Sequence, residues 1–270
     1  MQLAVFYHHI KEAALQTGLS ELEVLRQAKA FGITQLEFDV NDLKNEGNVI
    51  GLLEESGFSV SSIYGFYDFG KKQDGAEGFE LIDKAVTFGS KNIMIIPGFY
   101  ESRLPEGREA EEKRMVLEMA KMCDYAGEKG ITPTIEDFDD DKSPIATAEQ
   151  MKRMTEVLNN LKITFDTGNF IYSAQSEVDA YDILKGKIVH VHCKDRALKG
   201  TIYKVTTDNK KIYPAVVGSG CIAMEIILKK LKADGYEGTL TIEHFDASDY
   251  LAYMKQSAEW LIRTWRNCND

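Results

Sequence analysis

The sequence predicts an α/β fold, a single closed (β/α)8 barrel of the TIM type. Three observations predict it. Eight short β-rich runs alternate with longer amphipathic stretches from end to end. Gly32, Gly57, Gly89, Gly130 and Gly235 each follow a helical stretch, where a left-handed C-terminal residue belongs. The length of 270 residues suits one barrel. No linker or low-complexity tract divides the chain, so residues 1–270 read as one domain.

The first β-rich run is Leu3–Tyr7. A helix over Leu22–Phe31 follows, its start marked by Ser20 with Glu23 three residues on. Strands at Gln35–Val40 and Ser59–Tyr64 flank a helix at Asn48–Ser56. The helix Gly78–Phe88 leads to the strand Asn92–Pro97. The helix Glu109–Lys129 leads to Thr132–Glu136. Thr147 and Gln150 repeat the Ser20 pattern and open a helix to Leu158, before the strand Lys162–Asp166. The helix Val178–Leu184 precedes Ile188–His192, and Ile222–Ala233 precedes Thr239–Glu243. Apolar residues in these helices recur at three and four, as a core-facing helix requires. A doubly wound sheet would carry a Gly-rich first turn, but His-His-Ile-Lys follows the first run.

Asp195–Gly220 is too long for a plain βα connection. Thr201–Val205 and Lys211–Ala215 flank a turn sequence, so a small hairpin insertion is expected around 196–217. Loops after barrel strands lie on the catalytic face, and the hairpin belongs there. The aromatic-rich segment Tyr64–Phe69 ends the third strand on the same face.

Composition narrows the function. Hydrophobic residues make up 44% and charged residues 28%, as in a packed globular protein. The net charge of −11 argues against nucleic acid as a partner, because phosphates need a basic face. Cys123, Cys193, Cys221 and Cys268 have no close spacing, so neither a disulfide framework nor a cysteine zinc site is expected. No basic n-region with a long apolar stretch opens the chain, and no apolar run is long enough to span a bilayer. A cytoplasmic protein without a membrane partner is the expectation. Trp260 and Trp265 suit either a core or an interface.

Four chemistry-bearing residues end separate β-rich runs. Glu136 ends Thr-Pro-Thr-Ile-Glu, and Asp166 ends Lys-Ile-Thr-Phe-Asp. His192 ends Lys-Ile-Val-His-Val-His, and Glu243 ends Gly-Thr-Leu-Thr-Ile-Glu. A barrel gathers strand ends into one place, so these four are expected to hold one divalent cation. Three carboxylates and one imidazole form a hard site that suits Mn²⁺ first, with Mg²⁺, Co²⁺ and Zn²⁺ as alternatives. Strand parity puts Thr134, Thr164, His190 and Thr241 in a polar layer beneath, where they would orient the ligands. Cys193 has the opposite parity and is excluded as a ligand.

A cation with two glutamates can polarise a sugar carbonyl and move protons beside it. Glu136 and Glu243 are therefore the expected acid/base pair as well as ligands. The same enolate chemistry can instead expel a β-substituent, which makes a lyase on a keto-sugar, keto-inositol or oxidised glycoside the second reading. His8 is expected at the cavity mouth, and Glu37 is expected to point inward toward substrate hydroxyls. Lys194 shares parity with His192 one step further out, within reach of a substrate oxygen. Asp137 and Asp139–Asp141 read as a solvated acidic turn.

Ile-Glu-Asp-Phe at 135–138, Phe-Asp-Thr-Gly-Asn at 165–169 and His-Val-His-Cys-Lys-Asp at 190–195 are in order along the chain. Val-Gly-Ser-Gly at 217–220 and Ile-Glu-His-Phe at 242–245 follow. On these motifs the chain resembles the xylose-isomerase-like barrel family of sugar and sugar-phosphate isomerases and epimerases. The resemblance implies one Mn²⁺ or similar ion on Glu136, Asp166, His192 and Glu243, with the two glutamates as acid and base. It also implies a small-molecule sugar as partner and a tendency to form homo-oligomers. Asn169 stands where many ketose epimerases have a histidine and is expected at the substrate. Endonuclease IV has a similar barrel, but this chain has five His in all, too few for its three zinc ions.

Overall fold

A computed structural model describes residues 1–71 and 76–268. The strands are β1 (Gln2–Phe6), β2 (Gln35–Asp39), β3 (Ser59–Phe66), β4 (Asn92–Ile96) and β5 (Thr132–Glu136). They continue as β6 (Lys162–Asp166), β7 (Ile188–Ala197), β8 (Lys204–Val205), β9 (Lys211–Ala215) and β10 (Thr239–Glu243). The helices are α1 (Tyr7–Thr17), α2 (Glu21–Ala30), α3 (Glu46–Ser56), α4 (Ala76–Thr87) and α5 (Pro105–Lys129). After these come α6 (Ala148–Val157), α7 (Glu177–Leu184), α8 (Met224–Ala233) and α9 (Tyr250–Asn267).

Strands β1 to β7 pair in sequence order, and β10 closes the ring by pairing in parallel with both β7 and β1. The result is a closed parallel eight-stranded barrel. The outward positions of the strands, such as Leu36, Ile63, Ile163, Phe165, Cys193 and Ile242, are fully buried against the helices. Each such aliphatic side chain contributes about 1.5–3 kcal/mol by leaving water. Local signals agree with this packing. Ser20 with Glu23 and Thr147 with Gln150 both form complete capping boxes. Gly57 and Gly130 end α3 and α5 at φ 66° and 69°, a region costly for any residue with a Cβ.

Several boundaries differ from expectation. The first strand stops at Phe6, and Tyr7, His8 and His9 form the first turn of α1. Tyr7, Ile10 and Ala13 recur at helical spacing and bury one face there. β7 runs past His192 to Ala197, because its end pairs antiparallel with β9 through Asp195↔Ala215 and Ala197↔Tyr213. The first hairpin strand is only Lys204–Val205, antiparallel to Ile212 and Lys211. α8 begins at Met224 rather than Ile222, whose N–H donates to Asp195 Oδ1 at 3.2 Å. Trp260 lies on α9 against Gly218, where a Cβ would come within 2.1 Å of the indole. No helix among the described residues is long and apolar enough to cross a membrane.

The barrel interior is divided. Phe6, Tyr64, Met94 and Ile96 form a separate apolar cluster on β1, β3 and β4, joined by Phe99 and Phe138. The inward residues of β5, β6, β7 and β10 are polar, and they build the site below.

Candidate metal centre and cavity

Parity along four parallel strands places Glu136, Asp166, His192 and Glu243 in one buried group. One ligand atom from each lies within 4.8 Å of the others. His192 turns Nδ1 toward this group, hydrogen-bonded to Glu136 and 3.1 Å from Glu243 Oε2. The Lys194 ammonium pairs with Glu243 and lies 3.5 Å from Asp166 Oδ2. Asp166 Oδ2 and Glu243 Oε2 are buried and make no well-aligned hydrogen bond, their nearby charged groups being the Lys194 ammonium and His192. Buried carboxylate oxygens in that condition are costly unless a cation or donor meets them. The poorly satisfied oxygens and the hard donor set both fit a divalent cation.

Electrostatics separates the two glutamates. Burial holds the Glu136 carboxyl above its ordinary range, and the nearby His192 offsets this only in part. Burial acts on Glu243 in the same direction, but Lys194 and His192 outweigh it and hold Glu243 well below. The two carboxyls are thus shifted in opposite directions, Glu136 up and Glu243 down.

The layer beneath is polar, but its contacts differ from those expected. Thr134 Oγ1 donates to the Ile93 carbonyl at 2.9 Å and lies 2.7 Å from Thr164 Oγ1. These two hydroxyls satisfy each other and the backbone instead of reaching the carboxylates. His190 Nε2 and Thr241 Oγ1 meet Glu37 Oε2 at 2.9 and 3.2 Å. Glu37 in turn lies 3.1 Å from His192 Nε2. The polar support of His192 therefore runs through Glu37. The expectation that Glu37 meets substrate is corrected, because the side chain is fully buried on β2 below the cavity.

Above the cluster opens a cavity of about 520 Å³, lined in part by Glu136, Asn169, Lys194, Arg196 and Glu243. His8 is not among its lining residues. The early start of α1 carries His8 sideways, where its ring stacks on Phe245 with centroids 5.2 Å apart. Asn169 lines the cavity and donates to the Asp137 carbonyl at 2.8 Å.

The acidic turn is not simply solvated. Asp137 is fully buried, and its Oδ1 accepts from the Asp166 N–H at 3.2 Å. Asp139 lines the cavity and pairs with Arg196 at 2.9 Å and Lys204 at 2.7 Å. Asp141 does remain exposed. Sequence reasoning missed Asp139 and Arg196 as cavity residues. The odd length of the segment after β7 was the available signal, since that segment brings Lys204 across to Asp139.

Asp195 explains the Val-Gly-Ser-Gly motif. Its carboxylate accepts backbone N–H groups from Gly218 at 2.8 Å, Gly220 at 2.9 Å and Ile222 at 3.2 Å. A Cβ on Gly220 would sit 2.2 Å from Asp195 Oδ1.

Comparison with known proteins agrees with this architecture. A family model described as xylose isomerase-like TIM barrel matches residues 25–264. Among curated proteins, the chain is 26% identical over 191 residues to an inosose dehydratase of Geobacillus thermodenitrificans (strain NG80-2). The match covers 63% of this chain and 63% of that relative, less than two thirds of its length. Among solved structures, an L-ribulose 3-epimerase superposes with a TM-score of 0.77 at 18% identity, covering 100% of this chain and 96% of that one. A xylose isomerase-like TIM barrel protein from Mycobacterium smegmatis, in complex with magnesium, gives 0.70 at 18%, covering 91% and 88%. At these identities the structural likeness is one of fold.

Proposed function

The chain belongs to the xylose isomerase-like TIM barrel family, and on that premise we propose that it removes a proton beside the carbonyl of a keto-sugar or keto-cyclitol. The observation that carries this reading is the pair Glu136 and Glu243, gathered with Asp166 and His192 into one buried cluster that fits a cation and opens onto one cavity. A divalent cation held by Glu136, Asp166, His192 and Glu243 supplies a Lewis acid for the substrate carbonyl, and Mn²⁺ is the ion to test first.

Glu243, ionised beside Lys194, takes the proton from carbon. Glu136, across the cluster from Glu243, returns one. If that proton reaches a β-hydroxyl, the C–O bond breaks, water leaves and an unsaturated ketone remains. If it reaches carbon, the product is an epimer or an isomeric sugar. The sequence alone ranks the isomerase or epimerase first. The inosose dehydratase relatives reverse that order and favour dehydration. The paired glutamates keep epimerisation as the second reading, since both sit at the one cavity.

Metal-loaded protein incubated in D₂O with keto-inositols and ketoses tests both. Dehydration shows as an enone absorbance with loss of one water. Epimerisation shows as deuterium entering next to the carbonyl. Neither signal with any member of the panel overturns the proposal.

A further inference from the structure

We propose that the substrate is bipartite: an uncharged ring at the carboxylate end of the cavity carries an apolar, flat substituent at the hairpin end. This rests on the reading of the site given above and specifies the class of molecule it takes. Three observations carry it.

The cavity lining is mixed. Glu136, Asn169, Lys194 and Glu243 line it together with the aromatic and aliphatic Phe66, Phe138, Ile202 and Tyr203, the last two from the hairpin segment. A bare monosaccharide is polar all round and offers little to an apolar wall. The volume of about 520 Å³ lies inside the range of roughly 300–1,000 Å³ that holds drug-sized ligands.

The apolar part of the lining is also open to water. Phe66 is 52% exposed, Ile202 56%, Tyr203 49% and Phe245 37%, and all four line this one cavity. Large apolar groups gathered at a cavity mouth mark a binding surface. Their rings are held in place before any ligand arrives. Phe66 packs edge-on to Phe138 with centroids 5.9 Å apart. Tyr203 has the Lys211 ammonium 3.9 Å from its ring centroid.

The cations of the cavity already have partners. Lys194 pairs with Glu243, while Arg196 and Lys204 share Asp139 at 2.9 and 2.7 Å. A phosphate placed there would meet the Asp139 carboxylate, which already offsets both cations. The lining therefore selects a neutral substituent over a phosphorylated one.

Matched unreactive probes test this by calorimetry on the metal-loaded protein. Phenyl and methyl β-D-glucopyranosides, galactopyranosides and xylopyranosides form the pairs, with methyl β-D-glucopyranoside 6-phosphate set against methyl β-D-glucopyranoside. The phenyl member of at least one pair is expected to bind about tenfold more tightly than its methyl partner. The double variant Phe66→Ala/Tyr203→Ala is expected to reduce that preference to about threefold or less. The 6-phosphorylated methyl glucoside is expected to bind no more tightly than the methyl glucoside. Equal affinity within every pair, absence of saturable aryl glycoside binding, or a preference that survives the double variant overturns the proposal. So does tighter binding of the phosphate. Light scattering supplies a further arm: a dimer that Tyr203→Ala converts to monomer would assign the apolar rim to a second copy, against the proposal. None of these probes turns over, so their affinities stand apart from the D₂O experiment, and either reading can fail alone.

Discussion

Glu37 Oε2 lies 3.1 Å from His192 Nε2 in a fully buried layer beneath the candidate cation site. With Nε2 donating its proton to Glu37, the Nδ1 lone pair faces Glu136 and Glu243, as a ligand nitrogen must. Glu37 thus sets both the tautomer and the ring orientation of His192. Glu37→Ala is expected to weaken Mn²⁺ binding about 10–100-fold. Glu37→Gln keeps an acceptor and is expected to weaken it less. Calorimetric titration with Mn²⁺ checks the order, and equal affinity in both variants would remove Glu37 from this role.

The two glutamates predict a kinetic effect. Glu136→Gln and Glu243→Gln are each expected to slow proton exchange at the substrate carbon by about 10²–10⁴-fold. The comparison is made at saturating cation, with metal content measured in the same samples. Full exchange in either variant at full metal content would show that this residue moves no proton.

Cation binding should depend on pH through His192. Burial disfavours the imidazolium, but Glu37 and Glu136 outweigh it and hold the pKa well above the ordinary value. The proton therefore competes with the cation through the neutral range. Raising the pH from about 6 to about 8 is expected to tighten binding, with a proton released as the cation enters. In the cation-free protein the same shift acts on stability with the opposite sign. A raised folded-state pKa stabilises below the unfolded value of about 6.5, and that contribution is lost as pH rises through the folded value. Calorimetry in buffers of different ionisation enthalpy measures the proton. Cation affinity that does not change with pH would contradict the assignment.

Asp195 predicts a structural effect at a distance from the cation. Its carboxylate holds the segment from Gly218 to Ile222 by three backbone N–H groups. Asp195→Ala leaves those donors without their acceptor and is expected to cost about 1–3 kcal/mol in urea unfolding. Gly220→Ala is expected to destabilise by the same contact, since the added Cβ would lie 2.2 Å from Asp195 Oδ1. Unchanged unfolding midpoints in both variants would show that the loop is held otherwise.

Much of this molecule is written locally. Capping boxes at Ser20 and Thr147 mark where helices start, and Gly57 and Gly130 mark where helices stop. Period-two alternation assigns Thr134 and Glu136 to one face of β5 and Ile135 to the other. That is why the barrel and the quartet Glu136, Asp166, His192 and Glu243 are legible without coordinates. The helix α1 was less so, because His8 and His9 break its apolar pattern, and His9 is nevertheless buried.

The sequence by itself determined the eight-stranded barrel, the parity of the ligand-bearing strands and the strand-end quartet Glu136, Asp166, His192 and Glu243. These depend on spacing within a few residues. The tertiary structure alone decided which buried polar groups satisfy each other. Glu37 and His192 are 155 residues apart, and Asp139 and Arg196 are 57 apart. No local rule relates such pairs. Burial makes an unpaired carboxylate costly, so the partner is whichever donor the closed barrel brings within reach. Closure of the ring by β10 against β1 and β7 is what brings Glu37 under His192.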